Sequence, residues 1–432
     1  MVKELAKTLS IEYKEARIRC VGHIINLVVK SILFRDQLTE LEKELLGASD
    51  DACFKAWNKI GVIGKLHNIC VWINRTDQRR QRFFEGQTGA QNDLDEDCDE
   101  EDDKIFYYQL LVDGGVRWNS AYYMIKRALQ LRPAIEYFFF RYEDPSDKSN
   151  EYNLQADALT DQDWKELEAL IKLLQPFKRL TKHMEGVANK FGQEGSHGAI
   201  WETLKSMDYM FSHLKQSADA IAADPVQYPQ SYAIRVDAGF LKLRKYYKLT
   251  DETAIYRAAM VLHPKYKFDY FEENWQDQKR SITECRTAVR KLYQRYEDNW
   301  QDAEDQADDI IESTQESLSE DEFEAFGTVS GNSNRRKRRK IDDQLDQYTD
   351  SGVSEKDKKV KDPLQWWITK GSKWPILQQM AFDIFSIPAM SAECERVFSQ
   401  AKRFVTDERN GVSNATVEAD QCLKNWLLQG IF

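Results

Sequence analysis

Few residues of this 432-residue chain have types and spacing suited to chemistry. The stretch IPAMSAECERVFSQAKRF (387–404) carries a carboxylate, Glu395, at the edge of an apolar stripe. Met390, Cys394, Val397, Phe398, Ala401 and Val405 recur at three- and four-residue steps, the spacing of an amphipathic helix, with Pro388 just before it and Ser391 available as its N-cap. A single glutamate there is either an ordinary solvated or ion-paired side chain or one member of a carboxylate set gathered from elsewhere. Cys20 and His23 form a Cys-x-x-His pair, and His67 and Cys70 the reverse. A structural zinc site needs four ligands, and no second pair lies at suitable spacing. Asp113 ends a β-like run before Gly114 and Gly115. The cluster Arg335, Arg336, Lys337, Arg338, Arg339 and Lys340 has the composition of a nuclear localisation signal or of a phosphate-binding arm.

The elements that must position these groups are mostly helical. MVKELAKTL (1–9) has helical spacing without a preceding cap, and ARIRCVG suggests a short strand leading into HIINLVVKSILF. A further helical stretch covers roughly 51–84. IFYYQLLVD (105–113) reads as a strand, and RWNSAYYMIKRALQL as a helix behind it. DWKELEALIKLLQPFKRLTKHM, WETLKSMDYMFSHLKQSA and KRSITECRTAVRKLYQRYEDNW are the clearest helices between 131 and 300. Trp366, Trp367, Trp374, Phe382, Phe385, Phe404, Trp426 and Phe432 give the last segment an aromatic area that must be covered, internally or across a subunit interface.

The net charge of −11 argues against a nucleic-acid binder only until its distribution is read. Residues 93–103 hold nine carboxylates and 302–324 eleven; set aside, those twenty leave about +9. Both tracts are expected to be disordered. Seven scattered cysteines without a CxxC point to a reducing compartment. The N-terminus lacks the apolar core of a signal peptide, and the longest apolar run is interrupted by Lys30, so no membrane association is expected.

The segment from DPLQWW to CLKNWL, with Ser391–Ser399 matching S-A-x-x-E-R-V-F-S, resembles the C-terminal dimerisation region of hAT-superfamily (hobo–Activator) transposases. RCVGHIINLVVKSILF, LVDGGVRWNSAYYMIKRALQLRPAI and YRAAMVLHPKYKFDYFEENW resemble three further blocks of that family in the expected order. The resemblance implies an α/β RNase H-like core, here incomplete, interrupted by a large all-α insertion, in a predominantly helical protein. The expected domains are a partial core over 1–130 with an acidic loop at 86–103, a helical insertion over 131–300, a charged linker over 301–361, and the dimerisation region over 362–432 completing the core.

In that family three carboxylates hold two Mg²⁺ ions that activate a hydroxyl and stabilise the leaving oxygen of a DNA phosphodiester. Glu395 matches the third carboxylate. The block carrying the second aspartate belongs just upstream of a helix resembling MVKELAKTL, and is expected to be missing along with the first, so the chain reads as N-terminally truncated. Glu395 would ligate a metal only with those partners restored. The resemblance places Cys20 and His23 beside the active centre, and makes Arg117, Trp118 and Arg396 DNA contacts; packing of the helix 119–130 is the alternative for Trp118. Asp113 belongs to the Arg-Trp block and reads as structural or DNA-proximal.

The expectation is a nuclear, transposase-derived protein that retains homodimerisation or higher self-association and DNA binding, needs no cofactor as given, and is catalytically incomplete. The alternatives are a working cut-and-paste transposase whose upstream aspartates lie beyond a mis-started gene, and a domesticated protein-interaction module that binds no DNA.

Overall fold

The computed structural model describes residues 7–8, 12–15, 17–35, 37–92, 108–114, 117–141, 152–185, 198–275, 279–316, 343–391, 401–402, 404–405 and 411–428. These are predominantly helical. Among them the sole β pairing is an isolated bridge between Ala199 and Pro388, so the described residues contain no strand of the expected α/β core. No described helix is long and apolar enough to cross a membrane.

The chain divides into two compact units, neither continuous in sequence. One comprises Cys20–His183 with Ser206–Lys248, the other Met1–Arg19, Met184–Lys205 and Leu249–Phe432. This partition differs from the consecutive blocks expected from the sequence.

The first unit contains α1 (Val21–Phe34), α2 (Leu38–Leu45), α3 (Asp50–Asn58), α4 (Val62–Asn74), α5 (Asp77–Asn92), α6 (Trp118–Gln130), α7 (Arg132–Phe140), α8 (Asp161–Met184), α9 (Glu202–Ala223) and α10 (Gln230–Leu249). Its core is built from apolar faces at helical period, for example Trp164, Leu167, Leu170, Leu174 and Phe177 on α8. The stretch 51–84, read as one helical region, is broken into α3, α4 and α5. Gly61 supplies the break, with a φ of 83° that a residue bearing Cβ adopts only at a cost. Gly64 then lets α4 lie against the backbone of Trp57, where a Cβ would overlap the carbonyl oxygen.

Among the described residues neither expected strand is present. Residues 17–20 have no regular structure and lead directly into α1. In the run expected as a strand over 105–113, residues 108–113 are likewise irregular. The physical reason is visible in their hydrogen bonds. Gln87 both donates to Tyr108 O (2.8 Å) and accepts from Tyr108 N (3.0 Å), Arg127 donates to Gln109 O, and Asn74 donates to Leu110 O at 2.7 Å. Side chains of α4, α5 and α6 thus satisfy backbone groups that a neighbouring strand would otherwise pair.

The second unit contains α11 (Ile255–Leu262), α12 (Asp269–Asn274), α13 (Lys279–Glu316), α14 (Gln344–Asp350), α15 (Pro363–Lys370), α16 (Pro375–Phe385) and α17 (Asn414–Leu428). Helix α11 is buried from Tyr256 to Leu262 and packs against α13 and α16. Its terminal carbonyl at Leu262 receives both Tyr348 Oη (3.0 Å) and Trp367 Nε1 (2.8 Å), so one orphan acceptor of the helix end is doubly satisfied. Gln344 accepts from Ile376 N at the start of α16, and Gln378 donates to Trp367 O near the end of α15. Lys267, buried, donates to Tyr348 O (2.7 Å) and Ser351 Oγ (2.9 Å), tying down the end of α14. Helices α11, α14, α15 and α16 therefore lock one another through side-chain bonds to helix ends.

Helical structure also extends into segments read as loop or linker. Helix α5 runs to Asn92, α13 to Glu316, and α14 forms within 301–361. Residues 301–316 contain no Gly or Pro and many Ala, Glu and Gln, so local propensity favours continuation. Leu345 and Tyr348 anchor α14 by burial. Residues 93–107 and 317–342, with the remaining acidic and basic tracts, lie outside the described residues.

Candidate functional site

Within the first unit α1 and α6 bring two sequence blocks together. Asn26 of α1 accepts the backbone N–H of Trp118 at 3.2 Å, satisfying one of the orphan donors at the start of α6. The Cys-x-x-His block and the Arg-Trp block therefore meet in space. Cys20 is the half-buried N-cap of α1, and His23 is exposed one turn on. Arg117 is the exposed N-cap of α6.

Trp118 is 3 % exposed and meets Tyr122 edge to face. Packing, the alternative left open by the sequence, is its structural role here; a buried ring offers no face on which a base can stack. Asp113 is buried and accepts from Ser120 Oγ, an arrangement that locks the entry to α6.

The same unit holds a cavity of about 390 Å³ lined by Phe54, Trp57, His67, Asn68, Asn74 and Val112 among others. His67 stacks on Trp57 with ring centroids 3.7 Å apart. Burial pushes its imidazole down to about 4, against an opposing pull from Asp113, so it is neutral at physiological pH. Burial also pushes the Cys70 thiol far up, which leaves it an inert thiol rather than a thiolate ligand. On an adjoining side, buried Asp157 accepts from Tyr152 Oη (2.6 Å), Asn58 Nδ2 (2.6 Å) and Asn68 Nδ2 (3.1 Å). Burial raises its carboxyl pKa and those donors oppose the rise. This network consumes the hydrogen-bonding capacity of Asp157 internally and holds α3, α4 and the segment before α8 together.

Glu395 and Arg396, and the basic cluster Arg335–Lys340, lie outside the described residues. Among the described residues no group of three or more His, Cys, Asp or Glu is placed to hold a metal ion.

Two further features carry weight that sequence reading did not assign. Exposed Lys165, Lys172 and Arg179 recur at seven-residue intervals on α8, with exposed Lys182 beside them. The spacing was present in the sequence, masked by the stronger apolar periodicity of the same helix. On α17, Leu423, Trp426 and Leu427 are exposed at i, i+3 and i+4. The inner aromatic residues behave differently: Trp367 is buried, and Trp366 and Trp374 are half-buried around Tyr348.

Comparison with known proteins agrees with this layout. Residues 344–427 match the hAT family C-terminal dimerisation region, and residues 18–173 match the ZBED1 RNase-like helical domain. A putative transcriptional regulator, tpeD, of Talaromyces stipitatus is 22% identical over 408 residues, covering 93% of this chain and 40% of the relative. A putative AC transposase of Zea mays is 23% identical over 427 residues, covering 95% and 44%. The zinc finger BED domain-containing protein DAYSLEEPER of Arabidopsis thaliana is 23% identical over 329 residues, covering 74% and 41%. The chain thus spans less than half the length of each of these three relatives. The matched dimerisation region and the AC transposases among the relatives make this chain similar to proteins of the hAT superfamily.

Proposed function

We propose that this chain is a transposase-derived protein that self-associates and binds DNA, and that its own residues do not suffice for strand cleavage or joining. The observation carrying the reading is the exposed apolar face of α17 within the matched dimerisation region. Leu423, Trp426 and Leu427 project at one helical face, while Trp367 of α15 is buried and Trp366, Phe382 and Phe385 are half-buried. A second copy presenting the same face would cover this surface in an isologous contact. Relatives named as transposases and as BED zinc finger proteins support DNA as the ligand.

An RNase H-like α/β core would take Glu395 as its third carboxylate, with Arg117 and Arg396 at DNA phosphates and Cys20 and His23 beside the centre. Two buried carboxylates of the first unit are spent elsewhere, Asp113 on Ser120 and Asp157 on its three donors, and among the described residues no group of three or more His, Cys, Asp or Glu could hold a metal ion. Asp113 and Asp157 do not fit a pair of Mg²⁺ ions. Nuclear import through residues 335–340 completes the proposal.

Light scattering of the full chain tests the reading. A dimer mass that falls to a monomer in Trp426→Gln/Leu427→Gln supports it; a wild-type monomer at high micromolar concentration overturns it. Incubation with supercoiled plasmid and Mg²⁺ or Mn²⁺ is expected to leave the plasmid intact. Metal-dependent nicking that disappears in Glu395→Ala would instead make the chain a working nuclease. A fluorescent fusion should be nuclear and lose that distribution when residues 335–340 become Gln.

A further inference from the structure

The exposed faces of α6 and α8 stand out in a chain of net charge −11. From Ala169 to His183 on α8, and throughout α6, there is no Asp or Glu. The outward positions of α8 in that stretch are Lys172, Gln175, Arg179, Lys182 and His183. Lys172, Arg179 and Lys182 are paired with no carboxylate of the described residues. Towards the start of α8, Asp161 and Glu168 are both met by Arg132 of α7, Asp163 by Lys65 of α4 and Glu166 by Arg235 of α10. The cationic face is therefore not neutralised by its neighbours.

Lys178 joins the two helices. Its ammonium donates to Asn119 Oδ1 at 3.1 Å and sits 4.8 Å from the centre of the Tyr123 ring. Tyr123 is 44 % exposed, an uncommon position for a tyrosine that plays only a core role. Lys126 follows one turn along the same face of α6. The combined surface offers ammonium and guanidinium groups, a phenol and side-chain amides, the donor types that meet phosphate oxygens in nucleic-acid complexes. From Lys172 to Lys182 the face extends roughly 15 Å at 1.5 Å per residue, about the rise of four or five base pairs.

We infer that the α6–α8 face is a second, sequence-independent contact for the phosphate backbone of duplex DNA, distinct from the Arg117 position at the start of α6. This surface presupposes that the chain binds DNA, as proposed above, and assigns the charge for that binding to Lys172, Arg179 and Lys182. It would hold and orient a duplex without reading its sequence, since none of these groups is confined to a groove-reading geometry.

The test is fluorescence anisotropy of the full chain with a labelled random-sequence 30-base-pair duplex between about 50 and 200 mM salt. Each phosphate contact contributes about 0.9 to the slope of log K against log salt. The triple substitution Lys172→Gln/Arg179→Gln/Lys182→Gln is expected to reduce that slope by between two and three. Lys172→Arg/Lys182→Arg should preserve it. A control with equal loss of charge on α10, Arg244→Gln/Lys245→Gln/Lys248→Gln, should retain the wild-type slope. Wild-type binding with an unchanged slope in the α8 triple variant overturns this surface while leaving DNA binding standing. Equal losses in both triple variants also overturn it, as an effect of net charge alone. No salt-dependent binding by the wild type overturns both this surface and the DNA-binding reading. Loss of single-stranded RNA binding alone in the α8 variant would overturn the duplex assignment.

Discussion

Replacing Arg235 tests how α1, the helix that carries the Cys-x-x-His block, is held. Arg235 lies on α10 and is 1 % exposed. Its Nε donates to Glu166 Oε1 of α8 at 2.9 Å, while its NH1 donates to the carbonyls of Ile32 (3.1 Å) and Leu33. Those carbonyls are among the last of α1, groups with no partner within the helix. The guanidinium therefore closes the C-terminus of α1 and neutralises a buried carboxylate at once. Burial pulls its pKa down and Glu166 opposes that pull. In Arg235→Met the Glu166 carboxylate would keep Ser231 Oγ, 2.6 Å away, but lose its cation. Leaving one member of a buried pair uncompensated costs about 3–5 kcal/mol. Glu166→Gln/Arg235→Met removes the stranded charge, and should recover at least about 1 kcal/mol relative to the single variant. Two compact units need not unfold in one transition, so the loss is best read locally. Hydrogen exchange of amides in α1 and α10, alongside urea unfolding followed by tryptophan fluorescence, would report it. A single variant that loses under about 1 kcal/mol in these helices, or strict additivity of the two substitutions, would refute the coupling.

Gly239→Ala would usually gain helix propensity, but its new Cβ would stand 2.6 Å from Ile32 Cγ1 and 3.0 Å from Ile32 Cδ1. The net change should be destabilising by about 1–3 kcal/mol, measured by the same urea titration; a gain would show that α10 shifts freely away from α1. Trp367→Phe removes the donor to Leu262 O yet leaves Tyr348 Oη on that carbonyl. It should cost about 1 kcal/mol in the second unit, with Tyr348→Phe/Trp367→Phe costing more than the two single changes together. His263, held by burial to about 3, and His67, held to about 4, both bind protons in the unfolded chain below their ordinary value of 6.5. Stability is thus complete above pH 6.5 and lost as pH falls below it, by about 1.4 kcal/mol for each group at pH 5.5. His263→Asn, which keeps an acceptor for the N–H of Lys265, should flatten the pH 7 to 5.5 difference in the second unit; an unchanged difference would mean that other groups carry it.

The positions of the main helices were legible in the sequence because apolar residues at three- and four-residue steps need no knowledge of their partner. Helices α8, α9 and α13 fall where that spacing puts them. The superfamily was legible too, since its motifs are runs of adjacent residues. The sequence did not disclose that residues 108–113 would forgo a strand, because Asn74, Gln87 and Arg127 serve the backbone of 108–110 from three separate helices. Nor did it disclose that residues 184–205 join residues 1–19 and 249–432 in one unit. Trp118 could have faced a base or the core; burial against its own helix and the anchoring of its N–H on Asn26 decided that. Local period and local motif are short-range properties written directly in the order of residues. Which buried donor meets which orphan acceptor is settled across separations such as the 202 residues between Leu33 and Arg235, and only the tertiary structure brings those groups together.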